Sequence, residues 1–179
     1  MKMSYLLQVL LLGALILHSK AQTKCCNGIL TPEERQNFVD THNKLRSSLA
    51  KGNERNKNGN LMPKASNMLK LNYSCVLEKQ AQKWADNCLF KHADTEYGEN
   101  IFSLTTPKQF PISKIKETIV QQSCESWWGE LKSAYPDNPT NILTSDLFDK
   151  GVGHFTQVRM LIIVNVKLTN YMSTCIQFT

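Results

Sequence analysis

An apolar leader at the start of the chain sets the conditions under which everything behind it folds. Lys2 precedes a stretch from Leu6 to Leu17 broken only by Gln8 and Gly13, and Ser19-Lys20-Ala21 then places small residues at the −3 and −1 positions of a signal-peptidase site. About a dozen apolar residues is a secretory h-region and too short a run to cross a bilayer. Residues 1–21 are therefore expected to be a signal peptide, and the remainder a secreted, extracellular protein. The later run from Met160 to Val166 suits a strand, so the protein is not expected to be membrane-embedded.

Export makes the cysteines intelligible. Cys25, Cys26, Cys75, Cys88, Cys124 and Cys175 all follow the leader, and in an oxidising compartment all six are disulfide candidates. Their number alone selects no pairing. Cys75 and Cys88 fall on one predicted helix, about 20 Å apart, too far to join each other. Asn72-Tyr73-Ser74 is a candidate glycosylation site, whereas proline inside Asn138-Pro139-Thr140 removes that second triplet.

The chain is 179 residues long, room for one domain, and its 41% hydrophobic and 20% charged residues exclude a disordered chain. Formal charge is +6, with Lys2 and Lys20 in the leader and no basic run elsewhere, so nucleic acid is not an expected partner.

Three helices are predicted from periodicity. Thr31-Pro32-Glu33-Glu34 is a capping box, followed by Phe38, His42, Leu45 and Leu49 on one stripe and by Gly52 as a stop. Residues 51–64, rich in Asn, Gly and Lys, read as an exposed loop. A second helix begins near Ser74 with Leu77, Ala81, Trp84 and Cys88 on one face. A third begins near Ser113, carries Val120, Cys124, Trp127 and Leu131, and stops before Pro136. Phe155 to Val166 has the strongest β character of the chain. Helices with at least one strong strand indicate a single α/β or α+β domain.

Few residues offer chemistry. His42 lies on an apolar stripe and reads as a buried structural histidine. His92 and His154 sit just outside regular elements, with Glu99 and Glu130 available as carboxylates. Two imidazoles and two carboxylates can hold a zinc ion or share protons, although none of the spacing regularity of a protease motif is present. No zinc-finger pair occurs.

The stretch HADTEYGENI at 92–101, then Trp127-Trp128-Gly129-Glu130, then Gly153-His154-Phe155-Thr156-Gln157-Val158, resembles the CAP superfamily of cysteine-rich secretory, venom-antigen and pathogenesis-related proteins. Thr41 to Ser47 and Lys64 to Cys75 are similar to its worm branch of activation-associated secreted proteins. The likeness covers residues 25–158. It implies an α+β fold, a three-layer α-β-α sandwich with an antiparallel sheet, occupying 22–166. It also implies a cleft tetrad of His92, Glu99, Glu130 and His154 in which zinc can be a cofactor, with Asn100, Thr156 and Gln157 as hydrogen-bonding residues around it. No nucleophile is evident, Ser103 being the nearest serine after Glu99. The expected function is a non-enzymatic extracellular effector or binding protein with a protein or lipid partner. The alternatives are a sterol or lipid carrier, for which Leu89, Phe90 and Tyr97 are the large apolar contacts, and a zinc-dependent or acid–base hydrolase. After Val158 the family pattern is lost, so residues 167–179 are expected to form a divergent tail, the last strand or strands of the sandwich to be missing and, if the chain ends at Thr179, at least one upstream cysteine to be unpaired or mispaired.

Overall fold

In the computed structural model, which describes residues 30–106, 112–160, 163–170 and 175–178, helix α1 (Pro32–Ala50) begins at the capping box. Thr31 Oγ1 accepts the Glu34 amide at 3.2 Å, and Glu34 Oε2 accepts the Thr31 amide at 2.7 Å. Pro32 has no N–H, so two of the three orphan donors at the helix start are thereby satisfied. Gly52, at φ +74°, returns its amide to the Leu49 carbonyl and ends the helix. The buried stripe holds Phe38, His42 and Leu49 as expected, and also Arg35 and Arg46.

Those two arginines tie α1 to distant elements. Arg35 Nε and Nη2 donate to both oxygens of Glu78 at 2.8 and 2.7 Å, a buried bidentate pair that clamps α1 to α2 (Cys75–Ala85). This pair turns α2 from its expected face. Glu78, Ala81 and Ala85 are buried, while Leu77 and Trp84 are only half-buried. Cys88 lies beyond the helix end at φ +58°.

Strand β1 (Glu99–Thr106) leads to the long helix α3 (Ile112–Ser133), whose Val120, Cys124, Trp127 and Leu131 are all buried as the period predicts. The short helices α4 (Ser145–Phe148) and α5 (Gly153–Arg159) follow, then β2 (Ile163–Asn170) and β3 (Cys175–Phe178). The core gathers Phe38 and Leu49 of α1, the α3 stripe, and Val152, Phe155 and Val158 at α5.

Three expectations are corrected here. Phe155 to Val158 is helical, because β-propensity reflects packing more than backbone preference. Phe155 is wedged edge-on against Trp128 and Tyr135, at centroid distances of 5.2 and 5.4 Å. Thr156 Oγ1 donates to the Val152 carbonyl one helical turn back. The sheet is mixed, not antiparallel throughout. β1 pairs parallel with β2 from Glu99↔Ile163 to Thr106↔Asn170, and only β2 and β3 are antiparallel. The connection from β1 to β2 passes through α3, α4 and α5, long enough to bring the chain back in the same direction. The loop at 51–64 is not simply exposed. Asn56 and Met62 are buried, and the amides of Asn56, Asn58 and Asn60 all donate to the Asp137 carboxylate.

The elements stack as a three-layer α-β-α sandwich of α+β type. α2 packs on β2 and β3, α5 on β1, and α3 on α1 and α5. β2 runs across the expected boundary between residues 166 and 167, so the start of the tail is sheet. The signal peptide read at 1–21, with Cys25 and Cys26, lies outside the described residues. No helix among the described residues is long and apolar enough to cross a membrane. Asn72 is exposed, just ahead of α2.

Candidate functional site

The four predicted residues come from four places: His92 from the segment before β1, Glu99 from its first position, Glu130 from the last turn of α3, and His154 from α5. They assemble as two oriented pairs. His92 Nδ1 donates to Glu99 Oε2 at 2.8 Å, and the Ala93 amide donates to the same oxygen at 3.0 Å. His154 Nδ1 donates to Glu130 Oε1 at 2.7 Å, while Glu130 Oε2 accepts the Phe155 amide at 2.9 Å. That amide is one of the orphan donors in the first turn of α5, so Glu130 orients a histidine and caps a helix at once.

The carboxylates lie beneath the rings. Side-chain exposure is 5% for Glu99 against 64% for His92, and 19% for Glu130 against 37% for His154. An ionised carboxylate only accepts, so each Nδ1 carries the proton and each Nε2 is the nitrogen left to meet a ligand.

Asn100 links the two pairs. It is buried next to Glu99 in β1, and its Nδ2 donates to the His154 carbonyl at 3.0 Å. Gly98 permits this approach, since a Cβ there would overlap the Gln157 side chain. Thr156 bonds its own helix backbone, at Val152 and Gly153. The hydrogen-bonding role expected of Asn100 is thus observed, and that of Thr156 is local to α5. Ser103 is an exposed residue of β1.

Periodicity places Trp127 only in the core, yet it also forms a wall of the site. Its ring stacks on His154 (6.2 Å, 19°) and meets Phe102 edge-on (6.3 Å, 88°), and its Nε1 donates to the Ile101 carbonyl at 3.3 Å. Its position three residues before Glu130, on the same helix face, is the signal that could have revealed this.

Zinc would find here two imidazoles already held in one tautomer by carboxylates, the arrangement that supports histidine ligation. His92 and His154 are the residues whose chemistry fits, through Nε2, with Glu99 and Glu130 as orienting partners. Among the described residues no three His, Cys, Asp or Glu side chains gather as a ligand group.

The cysteines divide. Cys75 and Cys88 are both disulfide-bonded. Cys124, a disulfide candidate by sequence, is a free thiol among the described residues, buried at the α1–α3 contact. Its Sγ lies 3.5 Å from His42 Nδ1. Burial pushes this thiol up to about 12. Burial, with Arg46 nearby, likewise pulls His42 below its ordinary value, opposed by the bond between its Nδ1 and the Phe38 carbonyl. Both groups are neutral near pH 7, which leaves a structural contact and no activated nucleophile.

Residues 39–158 match the CAP family, described as the cysteine-rich secretory protein family, and the chain belongs to it. Among its relatives, Ancylostoma secreted protein from Ancylostoma caninum is 35% identical over 72% of this chain and 31% of its own length. Salivary antigen-5 from Triatoma infestans is 31% identical over 84% of this chain and 66% of its own. The chain thus spans about a third of the first relative and just under two thirds of the second. Two solved structures share the fold. BmVAL-1 is 38% identical with a TM-score of 0.71, covering 80% of this chain and 72% of that one. NaASP2, crystallised with Zn2+, is 32% identical with a TM-score of 0.69, covering 86% and 80%.

Proposed function

We propose that the protein is secreted and acts outside the cell as a binding or effector protein, its His/Glu cleft a metal-capable structural centre and not a catalytic one. The observation that carries this reading is how the carboxylates are used. Glu99 and Glu130 are each committed to one imidazole and one backbone amide. The carboxylates are thereby positioning groups for the imidazoles and not themselves the groups that exchange a proton, and among the described residues neither His92 nor His154 has a hydroxyl or thiol nucleophile as a hydrogen-bond partner. Names of relatives that print "secreted", "salivary" and "venom" support the extracellular setting.

Zinc coordination by His92 and His154 is part of the proposal, supported by the oriented rings and by the Zn2+ in the structure of NaASP2. When bound, zinc would supply a Lewis-acidic positive centre held by His92 and His154. Isothermal titration with Zn2+ is expected to show binding that weakens about tenfold or more in His154→Gln. The functional test runs the protein against an array of extracellular receptor domains and against a peptide library for turnover. Saturable binding that persists in Glu99→Gln supports the reading. Peptide hydrolysis that disappears in Glu99→Gln would replace it with the hydrolase.

One observation favours a sterol or lipid as a second reading. A cleft of about 460 Å³ beside the first His/Glu pair has Leu77, Ala81, Trp84 and Tyr97 as its apolar side and Gln80, Lys83, Asn87, Asp94, Thr95 and Glu99 as its polar side. Leu89, Phe90 and Tyr97 are exposed close by in sequence. A thermal shift with cholesterol that is lost in Tyr97→Ala would establish it.

A further inference from the structure

A second cleft, of about 390 Å³, lies on a different part of the molecule, between the end of α1, residues 62–69, Asn141 and the end of α5. Its apolar wall is Leu49, Met62, Met68, Leu69 and Met160, and its lining contains no Asp, Glu, Lys or Ser. Methionine and arginine are enriched in the recognition surfaces of proteins, and Lys, Glu, Asp and Ser are depleted there. Two methionines at the surface, the half-buried Met68 and the exposed Met160, front this wall with Met62 buried behind them, giving a soft surface that can reshape around different side chains. Leu69 is 65% and Met160 54% exposed, so the cleft is an open groove with apolar rims.

Its electrostatics are one-sided. Arg46 turns its two terminal nitrogens to the backbone, donating to the carbonyls of Leu69, Val158, Arg159 and Met160, and its Nε is buried out of reach of solvent. Arg159 is different. Its one hydrogen bond goes to the neutral Asn141 Oδ1 at 2.8 Å, and it has no carboxylate partner among the described residues. A half-exposed guanidinium beside a methionine wall is complementary to a carboxylate flanked by apolar side chains.

We infer that this groove is the docking site for a peptide segment of a partner protein, one that lays Leu, Met or Phe side chains on the Met62–Met68–Met160 wall and sets an Asp or Glu against Arg159. Sites for small apolar ligands bury most of the ligand surface, whereas an open groove leaves one side to be covered by the rest of a protein. The inference rests on the reading of the protein as a binder and names the partner chemistry that reading lacks.

The test pans a displayed library of random 12-residue peptides on the whole protein, then measures enriched peptides against Leu69→Asp and Arg159→Glu. Leu69 is a surface side chain, so its replacement leaves the fold intact. Enriched peptides should combine apolar residues with Asp or Glu and bind each variant at least tenfold more weakly, the scale of a lost charge-assisted contact. They should also shift the methyl resonances of Met62, Met68 and Met160 in methionine-labelled protein. Failure to enrich any peptide, or peptides that bind both variants undiminished, overturns the assignment. So does palmitate shifting those methyls where no peptide does. Receptor-domain binding that survives both variants would refute the groove and leave the binder reading standing. Peptide binding at the groove without any receptor-domain binding would do the reverse.

Discussion

Gly98 leaves the space that the end of the Gln157 side chain fills. A Cβ there meets the Gln157 side-chain carbon at 2.6 Å and oxygen at 2.8 Å, distances that real Cβ contacts do not show. All the atoms it meets belong to the far end of the Gln157 side chain, so Gly98→Ala should displace the Gln157 amide and cost about 1 kcal/mol, read as a slightly lower midpoint in urea denaturation. Cys124 gives a second prediction at this scale. With its thiol pushed up to about 12 and its sulfur buried, it should resist Ellman's reagent in native protein at pH 8 and react once the protein is unfolded. Above pH 9, its ordinary value, the unfolded chain loses this proton while the native chain keeps it. The contribution of the buried thiol to stability is thus complete below pH 9 and declines between there and about 12. The residues of both His/Glu pairs were legible from sequence because their motifs are short and ordered along the chain. The free state of Cys124 followed from no spacing, since pairing depends on which sulfurs the fold brings within bonding reach.

Among the elements, α5 is the one whose identity depends most on its surroundings. Seven residues make too short a helix to stand alone, and Phe, Thr and Val lean towards strand. Both ends are held from elsewhere. Glu130 of α3 accepts the Phe155 amide at the start, and Arg46 of α1 donates to the Val158, Arg159 and Met160 carbonyls at the end. A cation at a helix C-terminus also complements its dipole. Arg46→Ala would leave these carbonyls, and that of Leu69, without their partner. We expect a loss of about 3–5 kcal/mol in chemical denaturation, with Arg46→Lys recovering part of it because an ammonium lacks the planar fork. Periodicity reads α1 and α3 correctly since each is long and carries a continuous apolar stripe. It misplaces α5 because the forces that make it helical come from residues 25 and 113 positions away in sequence.

The whole molecule is held by a few long-range polar clamps under its apolar core. The Arg35–Glu78 pair is the most buried of these, with side-chain exposures of 2% and 4%. Glu78→Gln should destabilise by about 3–5 kcal/mol, because the arginine then stays buried without its counter-charge. The double variant Arg35→Met with Glu78→Leu should recover most of that loss in a double-mutant cycle. Acid should act through His42, buried at the α1–α3 contact and held below its ordinary pKa mainly by that burial. Unfolded chains take up this proton below about pH 6.5, so stability should fall as the pH drops through that value. His42→Gln should flatten the decline, and thermal melts between pH 4 and 8 would show it.

The capping box of α1, the stripe of α3 and the three ordered motifs are decided by the sequence alone, because each depends on neighbours within a few turns of chain. They were enough to place the protein in its family and to select His92, Glu99, Glu130 and His154. Three features belong to the tertiary structure: the parallel pairing of β1 with β2, the turn of α2 that buries Glu78, and the division of the four site residues into two carboxylate-held histidines. Each of these is settled by partners distant in sequence, whose hydrogen bonds and burial outweigh the local preferences that a pattern can express.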